Sequence, residues 1–486
     1  MFLLPVLLLT ACYPSVEAGL LEQVQQGLAV SDQELVWVNC DTGFECASMV
    51  VPLNWLEPGD DFLEIALVRP EGSENLPPLV VNPGGPGASG VDFVADSLEQ
   101  IGTPALRQAF SIVGFDPRGV GKSNPVTCSN LDLKDEVFYG QSPFPFGSEQ
   151  DLVRSKQLLL QFAESCQEIG FDVSYFNTQQ TARDLDLLRQ LLGLDTLDYL
   201  GYSYGTELGA TYAALFPENV GRFVLDGAVD PTISVAENLL LQVKGFDSAL
   251  LAYATDCLAG ENCPLSGPPS AAMKQIGALL ASLETSTLPT QYEREVGITA
   301  ALYGIIAPLY SQDSWPYLTQ ALAEALEGDG TTLLLLADFY NDRDIEGGYL
   351  SNINEANIAI GCADGRVGDG GVEKLNQQIV EASAIFGRYF QYPNLGCVGW
   401  PEAKGVVDLD YSVPLNHGPL VIGTTGDPAT PYTQAVSLAQ ILQGATLLTF
   451  EGEGHTAYGG NSCVNGYVEA YLNGTLDTSE ELRCKS

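Results

Sequence analysis

The fold turns on one stretch, Leu197-Asp198-Tyr199-Leu200-Gly201-Tyr202-Ser203-Tyr204-Gly205-Thr206-Glu207-Leu208. Leu197 to Leu200 reads as a strand, and Glu207 to Phe216, closed by Pro217, as a helix. Between them stands Gly-x-Ser-x-Gly in the strand–turn–helix setting that this motif requires. The reason is steric. A serine at the tip of so tight a turn needs small neighbours two positions away on each side. The helix that follows aims its first amides and its positive dipole end at any oxyanion formed beside the hydroxyl.

Outward from this turn, the pattern alternates. Thr181 to Leu192 carries apolar residues at 185, 187, 188, 191 and 192, a helical stripe, and Phe223 to Leu225 is a further strand. Upstream, Leu63 to Val68, Leu79 to Asn82 and Ser111 to Phe115 read as strands. From 231 to 415 helical stretches dominate, at 234–256, 270–285, 314–327 and 372–389. Gly297 to Tyr310 reads as a buried helix too short to span a bilayer. Strand character returns at Pro419 to Ile422 and Thr446 to Phe450, around a helix from Tyr432 to Leu442. The expectation is an α/β fold, a doubly wound, mostly parallel sheet with an inserted helical cap. Its first part spans 33–230, the cap 231–415 and its second part 416–486.

A serine hydroxyl is a poor nucleophile until a base takes its proton, and the chain has two histidines, His417 and His455. His455, in Gly452-Glu453-Gly454-His455, follows a strand and can reach across the sheet's end. His417 precedes its strand, at the opposite end, and reads as a surface residue. The carboxylate expected between serine and histidine in chain order is Asp427, in Gly426-Asp427-Pro428-Ala429-Thr430-Pro431. Asp226 and Asp230, after Phe223 to Leu225, are its rivals. The turn Asn82-Pro83-Gly84-Gly85-Pro86-Gly87 leaves a strand with amides unobstructed. It supplies one oxyanion donor, assigned to Gly85 with Gly84 as alternative, and Tyr204 supplies the other. A phosphate loop is excluded by the missing Gly-Lys-Ser/Thr ending.

Composition narrows the function. The 486 residues include 62 acidic and 20 basic ones, a formal charge of −42. Too few cations exist to neutralise phosphates, so nucleic acid is excluded, and anionic membrane surfaces are disfavoured. Eleven cysteines with two histidines suit disulfides better than metal clusters, so no metal or cofactor is expected. Phe2 to Leu9 is a short apolar run ending in Leu9-Thr10-Ala11-Cys12, which looks like a bacterial lipobox, although no Lys or Arg precedes it. Residues 1–11 are then a signal peptide and 12–32 a tether. The mature chain is exported, either anchored by lipid at Cys12 as its one link to a membrane or secreted.

With these residues in hand, the chain resembles the secreted tripeptidyl aminopeptidases of actinobacterial type, relatives of the proline iminopeptidases within the α/β-hydrolases. The matching stretches are Asn82 to Gly90, Asp116-Pro117-Arg118-Gly119-Val120-Gly121, Gly201 to Gly205, Asp226-Gly227, Gly426 to Pro431, Gly454-His455 and the tail from Cys463 to Cys484. The likeness runs from about Trp37 to Cys484. It departs at Pro83, where the iminopeptidases usually carry His. It implies Ser203 as nucleophile, Asp427 as orienting acid and His455 as base, and disulfides Cys40–Cys46, Cys128–Cys166, Cys257–Cys263, Cys362–Cys397 and Cys463–Cys484. Sequence alone leaves the many pairings of ten thiols open. The expected substrate is a peptide with a free N-terminus. Glu355 and Asp364 are the candidates to receive its ammonium, by position and by likeness to the family's cap segment. A carboxylesterase or lipase is the alternative, because the same three residues serve esters. A binding protein on a dead hydrolase fold is a third reading, opposed by the intact Ser, Asp and His.

Overall fold

The computed structural model describes residues 20–368, 370–477 and 481–486. Cys12 and the signal segment lie outside them. Ten strands form one sheet: β1 Val38–Asp41, β2 Phe44–Pro52, β3 Phe62–Pro70, β4 Pro78–Asn82, β5 Ser111–Phe115, β6 Leu197–Tyr202, β7 Val220–Asp226, then β10 Leu420–Gly426, β11 Thr446–Glu453 and β12 Leu482–Lys485. β8 Leu288–Pro289 and β9 Glu295–Val296 make a separate small hairpin. The sheet order is β1-β2-β3-β5-β4-β6-β7-β10-β11-β12. From β5 to β12 every pairing is parallel, while β1, β2 and β3 run antiparallel at one side. This is the expected doubly wound, mostly parallel α/β-hydrolase sheet.

Alternation along the strands builds two cores. Val80, Val113, Tyr199, Leu225 and Val421 pack in one hydrophobic cluster. Their chain neighbours Leu79, Ile112, Leu200, Val224 and Ile422 pack in another. Successive strand side chains point to opposite faces, so a sheet covered by helices on both sides needs apolar residues at every position. β5, Ser111–Phe115, is buried at all five.

The 231–415 block is largely helical: Val235–Ala259, Pro269–Ser282, Ile298–Ile306, Trp315–Glu327, Thr331–Tyr340, Ile353–Asp364 and Val372–Ala382. The first five share a hydrophobic cluster of their own. Ile353–Asp364 instead packs Ala356, Ala359 and Ile360 into the main core. The helix expected to run on to 389 stops at Ala382. There Ser383 Oγ accepts the amides of Ile385 and Phe386 at 3.2 and 2.9 Å and turns the chain. The described part of the expected tether is folded: Leu20–Gln25 is helical and Val24 is buried. Gln33 then donates to and accepts from the Val50 backbone at 2.8 Å each, as a neighbouring strand would.

All five disulfides implied by the resemblance are formed. Two of them secure the sheet's outermost strands. Cys40–Cys46 staples the β1–β2 hairpin, and Cys463–Cys484 ties β12 to helix Ser462–Leu472.

Arg118, in the loop after β5, is wholly buried. Its guanidinium grips both oxygens of Asp184 at 2.8 and 2.6 Å and donates to the carbonyls of Leu53, Tyr175 and Pro52. A buried charge left without its partner is costly, so Arg118→Ala should lower stability by about 3–5 kcal/mol in chemical denaturation. A loss below ~1 kcal/mol would contradict this role.

Candidate active site

Ser203 ends β6 and caps helix Tyr204–Leu215 with φ 54° and ψ −123°. Such a backbone is strained for a non-glycine residue by about 1–3 kcal/mol and must be held from outside. Its surroundings hold it. The Ser203 amide donates to the Asp226 carbonyl at 2.9 Å. A Cβ on Gly201 would lie 2.3 Å from the Gly205 carbonyl oxygen, and one on Gly205 would lie 2.8 Å from the Asn82 carbonyl oxygen. The two glycines of the motif are therefore required by close packing.

The Asn82–Gly87 turn lies against this elbow. Gly84 has φ +101°, and a Cβ there would sit 2.5 Å from the Tyr202 carbonyl oxygen and 3.0 Å from Ser203 Cβ. Its amide donates to Asn82 Oδ1 at 3.0 Å. That bond occupies the donor of the Gly84 alternative, whereas the Gly85 amide has no acceptor among the described residues. Gly85 and Tyr204 line the same cavity as Ser203. Tyr204 is the first residue of its helix, so its amide has no intrahelical acceptor.

Asp427 and His455 meet at the same end of the sheet. His455 Nδ1 lies 2.9 and 3.0 Å from the two Asp427 oxygens. Asp427 Oδ1 also accepts the amides of Ala429 and Thr430, each at 2.9 Å, and Oδ2 accepts the Thr430 hydroxyl at 2.9 Å. The carboxylate is thus fixed before it fixes the ring. His455 Nε2 is buried and makes no hydrogen bond among the described residues. The serine–imidazole bond is not closed in this conformation, as is common before substrate binds. Both residues converge on Asp226-Gly227: Ser203 through its amide, His455 because a Cβ on Gly227 would lie 3.3 Å from its Cε1.

The rivals do other work. Asp226 Oδ2 accepts the amides of Ala457 and Tyr458 at 3.0 and 2.8 Å and pins the loop that follows the histidine. Asp230 accepts the Thr232 amide and hydroxyl. His417 is exposed at the far end. A residue that sequence reading missed is Tyr310. Its carbonyl accepts the His455 amide at 2.9 Å, and its ring meets the imidazole edge-on at 5.4 Å. Nothing in a lone Tyr of an apolar stretch signals a backbone contact of this kind.

The two expected amine receivers part company. Glu355 is a correction: it is buried, with both oxygens 2.7 Å from Lys134 Nζ, and it does not line the cavity. Helix Ile353–Asp364 turns it toward helix Leu131–Tyr139, and the Tyr349 ring covers the lysine at 3.7 Å. Asp364, at the helix's end, does line the cavity, held by the Thr178 amide at 2.8 Å and hydroxyl at 2.6 Å. Glu207 and Asp230 line the same cavity, and the sequence reading left Glu207 in its helix without a role. The cavity holds about 510 Å³, and no Lys or Arg lines it. Among the described residues no cluster could hold a metal ion, and no helix is long and apolar enough to cross a membrane.

Burial pushes the His455 pKa down, but the charge and hydrogen bond of Asp427, helped by the Asp226 charge, outweigh it and the net displacement is upward. Burial raises Asp226 itself to about 6, against the pull of the Tyr458 and Ala457 amides.

A family model described as the alpha/beta hydrolase fold matches residues 77–461. A Mycobacterium tuberculosis protein named serine protease Hip1 is 35% identical over 461 residues, covering 91% of this chain and 87% of that protein. One from the same species named carboxylesterase B is 38% identical over 451 residues, covering 90% and 86%. A Streptomyces lividans tripeptidyl aminopeptidase is 29% identical over 483 residues, covering 92% and 84%.

A base that must be neutral loses function as pH falls through its pKa. The acid limb of kcat/KM should therefore lie above the ordinary histidine value. Asp226→Asn removes one raising charge and should move that limb to lower pH, read from the pH–rate profile. A limb that stays in place or moves up in the variant would contradict the assignment.

Proposed function

The chain belongs to the α/β-hydrolase family, and from that premise we propose that this hydrolase is an exported serine peptidase that releases short peptides or single residues from free N-termini. The observation that carries the reading is the paired contact of His455 Nδ1 with Asp427, which leaves Nε2 free at the end of the sheet where Ser203 stands.

In the proposed reaction the Ser203 hydroxyl attacks the scissile carbonyl while His455 Nε2 takes its proton. Asp427 holds the ring through Nδ1–H and stabilises the imidazolium. The amides of Gly85 and Tyr204 receive the oxyanion, each donor being worth about 2.7–4 kcal/mol to the transition state. The imidazolium then protonates the leaving amine. Water, deprotonated by the same ring, releases the acyl group and restores the serine.

An ester reading has one observation in its favour, the relative named carboxylesterase B. Against it stands the cavity, which Glu207, Asp230 and Asp364 line with no Lys or Arg among the described residues, a surface suited to a charged amine. Export has separate support. Five disulfides suit an oxidising compartment, and Cys12 stands where a lipobox would place the lipid.

A free-amino peptide anilide should be hydrolysed at least about tenfold faster than its N-acetylated twin, the worth of one charge contact. Ser203→Ala should lower kcat by about 10⁶-fold for both. Turnover of a nitrophenyl ester with neither anilide cleaved would make the protein an esterase instead.

A further inference from the structure

The acyl-transfer steps above need the Gly85 amide at a fixed place beside Ser203, and the turn that carries it is held from two sides. Towards the sheet, Asp116 fastens the exit of the turn. Its carboxylate accepts the Ser89 hydroxyl at 2.6 Å, the Val91 amide at 3.1 Å and the Lys122 amide at 2.8 Å. On the outer side lies the first turn of helix Ile353–Asp364. A Cβ on Gly87 would stand 2.6 Å from the Ile353 carbonyl oxygen and 2.9 Å from the Asn357 amide nitrogen, so the glycine lets turn and helix meet. Across this contact Asn357 Nδ2 donates to the Pro86 carbonyl at 3.0 Å, one residue beyond Gly85. Gly85, Pro86 and Asn357 all line the cavity of Ser203.

We propose that Asn357 is a positioning residue for the oxyanion hole: it holds the Pro86 carbonyl and thereby sets where the Gly85 amide points. The inference rests on the acyl-transfer reading and deepens it, and it applies to peptide and ester substrates alike.

A clamp can position its target only if its own base is fixed. Asn352, just before the helix, is buried. Its Nδ2 donates to the carbonyls of Gly119 and Val126 at 2.8 and 2.9 Å, and its Oδ1 accepts the Gly121 amide at 2.9 Å. Glu355 closes on Lys134, Asp364 ties the far end to Thr178, and Ala356, Ala359 and Ile360 pack into the main core. Gly121 and Lys122 are chain neighbours, so the bonds close a ring: turn, Asp116, the loop after β5, Asn352, helix, Asn357 and turn again. The turn needs this hold. Gly84 and Gly85 stand at φ 101° and 108°, and glycines resist displacement least of all residues. Asn357 is an exposed member of the ring, so replacing it opens the ring without emptying buried space. An oxyanion donor must lie roughly 2.7–3.1 Å from the developing charge, and a misplacement of about 1 Å costs up to about 100-fold in rate. The loss belongs to the transition state, so it falls on kcat rather than on KM.

The test uses Asn357→Ala and Asn357→Leu in the purified full chain, on whichever of the peptide anilide and the nitrophenyl ester the unaltered protein turns over. Leu keeps roughly the size of Asn without a donor. Both variants should lower kcat by about tenfold or more, with KM within about twofold and the acid limb of the pH–rate profile in place. A peptide aldehyde gives a second readout. The Ser203 oxygen bonds to its carbonyl carbon, the π pair moves to the carbonyl oxygen as the oxyanion, and the hydroxyl proton passes to His455. Its inhibition constant should weaken by the same factor as kcat/KM. Asn354→Ala removes a bond from the same helix, to the Asn341 carbonyl at 3.0 Å, that does not touch the turn, and should leave kcat within about twofold. A rise in KM at unchanged kcat would make Asn357 a substrate contact instead. That result, an unchanged kcat in both variants, or an equal loss from Asn354→Ala would overturn the positioning role alone. Absence of turnover and of fluorophosphonate labelling in the unaltered protein would overturn the acyl-transfer reading beneath it.

Discussion

One residue at the end of β7 joins the two halves of the machinery. The Asp226 carbonyl accepts the Ser203 amide, and the Asp226 carboxylate accepts the Ala457 and Tyr458 amides just beyond His455. The strained elbow and the histidine loop come from distant parts of the chain, and both are tied to the same strand end. A fully buried carboxylate is expensive unless its oxygens are satisfied. Here two amides meet that requirement, and the placement of the base relative to the nucleophile follows from it. Gly227 beside it must be glycine for the imidazole to approach, because a Cβ would stand 3.0 Å from the His455 carbonyl oxygen.

The scarcity of cations shapes the rest. Arg118 grips Asp184 in the core, Lys134 is closed on Glu355, and Arg294 and Arg343 bind Asp338 and Asp135 around the Tyr139 ring. These basic residues act as internal cross-links between helices and loops. The cavity beside Ser203 is lined by Glu207, Asp230 and Asp364 and, among the described residues, by no Lys or Arg.

What could be read in advance follows from how local each signal is. Ser203, Asp427 and His455 each sit in a short motif next to a strand, and the strand pattern fixed the end of the sheet at which they meet. Two histidines left a small choice. Disulfide partners came from family likeness rather than from spacing. Helix faces were harder. Glu355 and Asp364 lie on one helix, and nothing local to it told which would face the cavity; Lys134, far away in sequence, decided it. The β1–β2 hairpin escaped because β1 is four residues long and mostly exposed, so its alternation is weak. Glu207 was in plain view inside the motif's helix. Its spacing from the serine was the signal, masked by the high background of acidic residues.

Four of the carboxyls near the reacting centre divide by what their oxygens receive. Asp427 takes two amides, a hydroxyl and the imidazole, and so orients the ring. Asp226 takes two amides and serves as an anchor. Asp364 takes one amide and one hydroxyl. Glu207, partly buried at the cavity, receives no hydrogen bond among the described residues. Each donor removed from this series raises the cost of holding the negative charge. The same side-chain chemistry thus yields an orienter in Asp427 and an anchor in Asp226, and the hydrogen-bond donors around each group separate them.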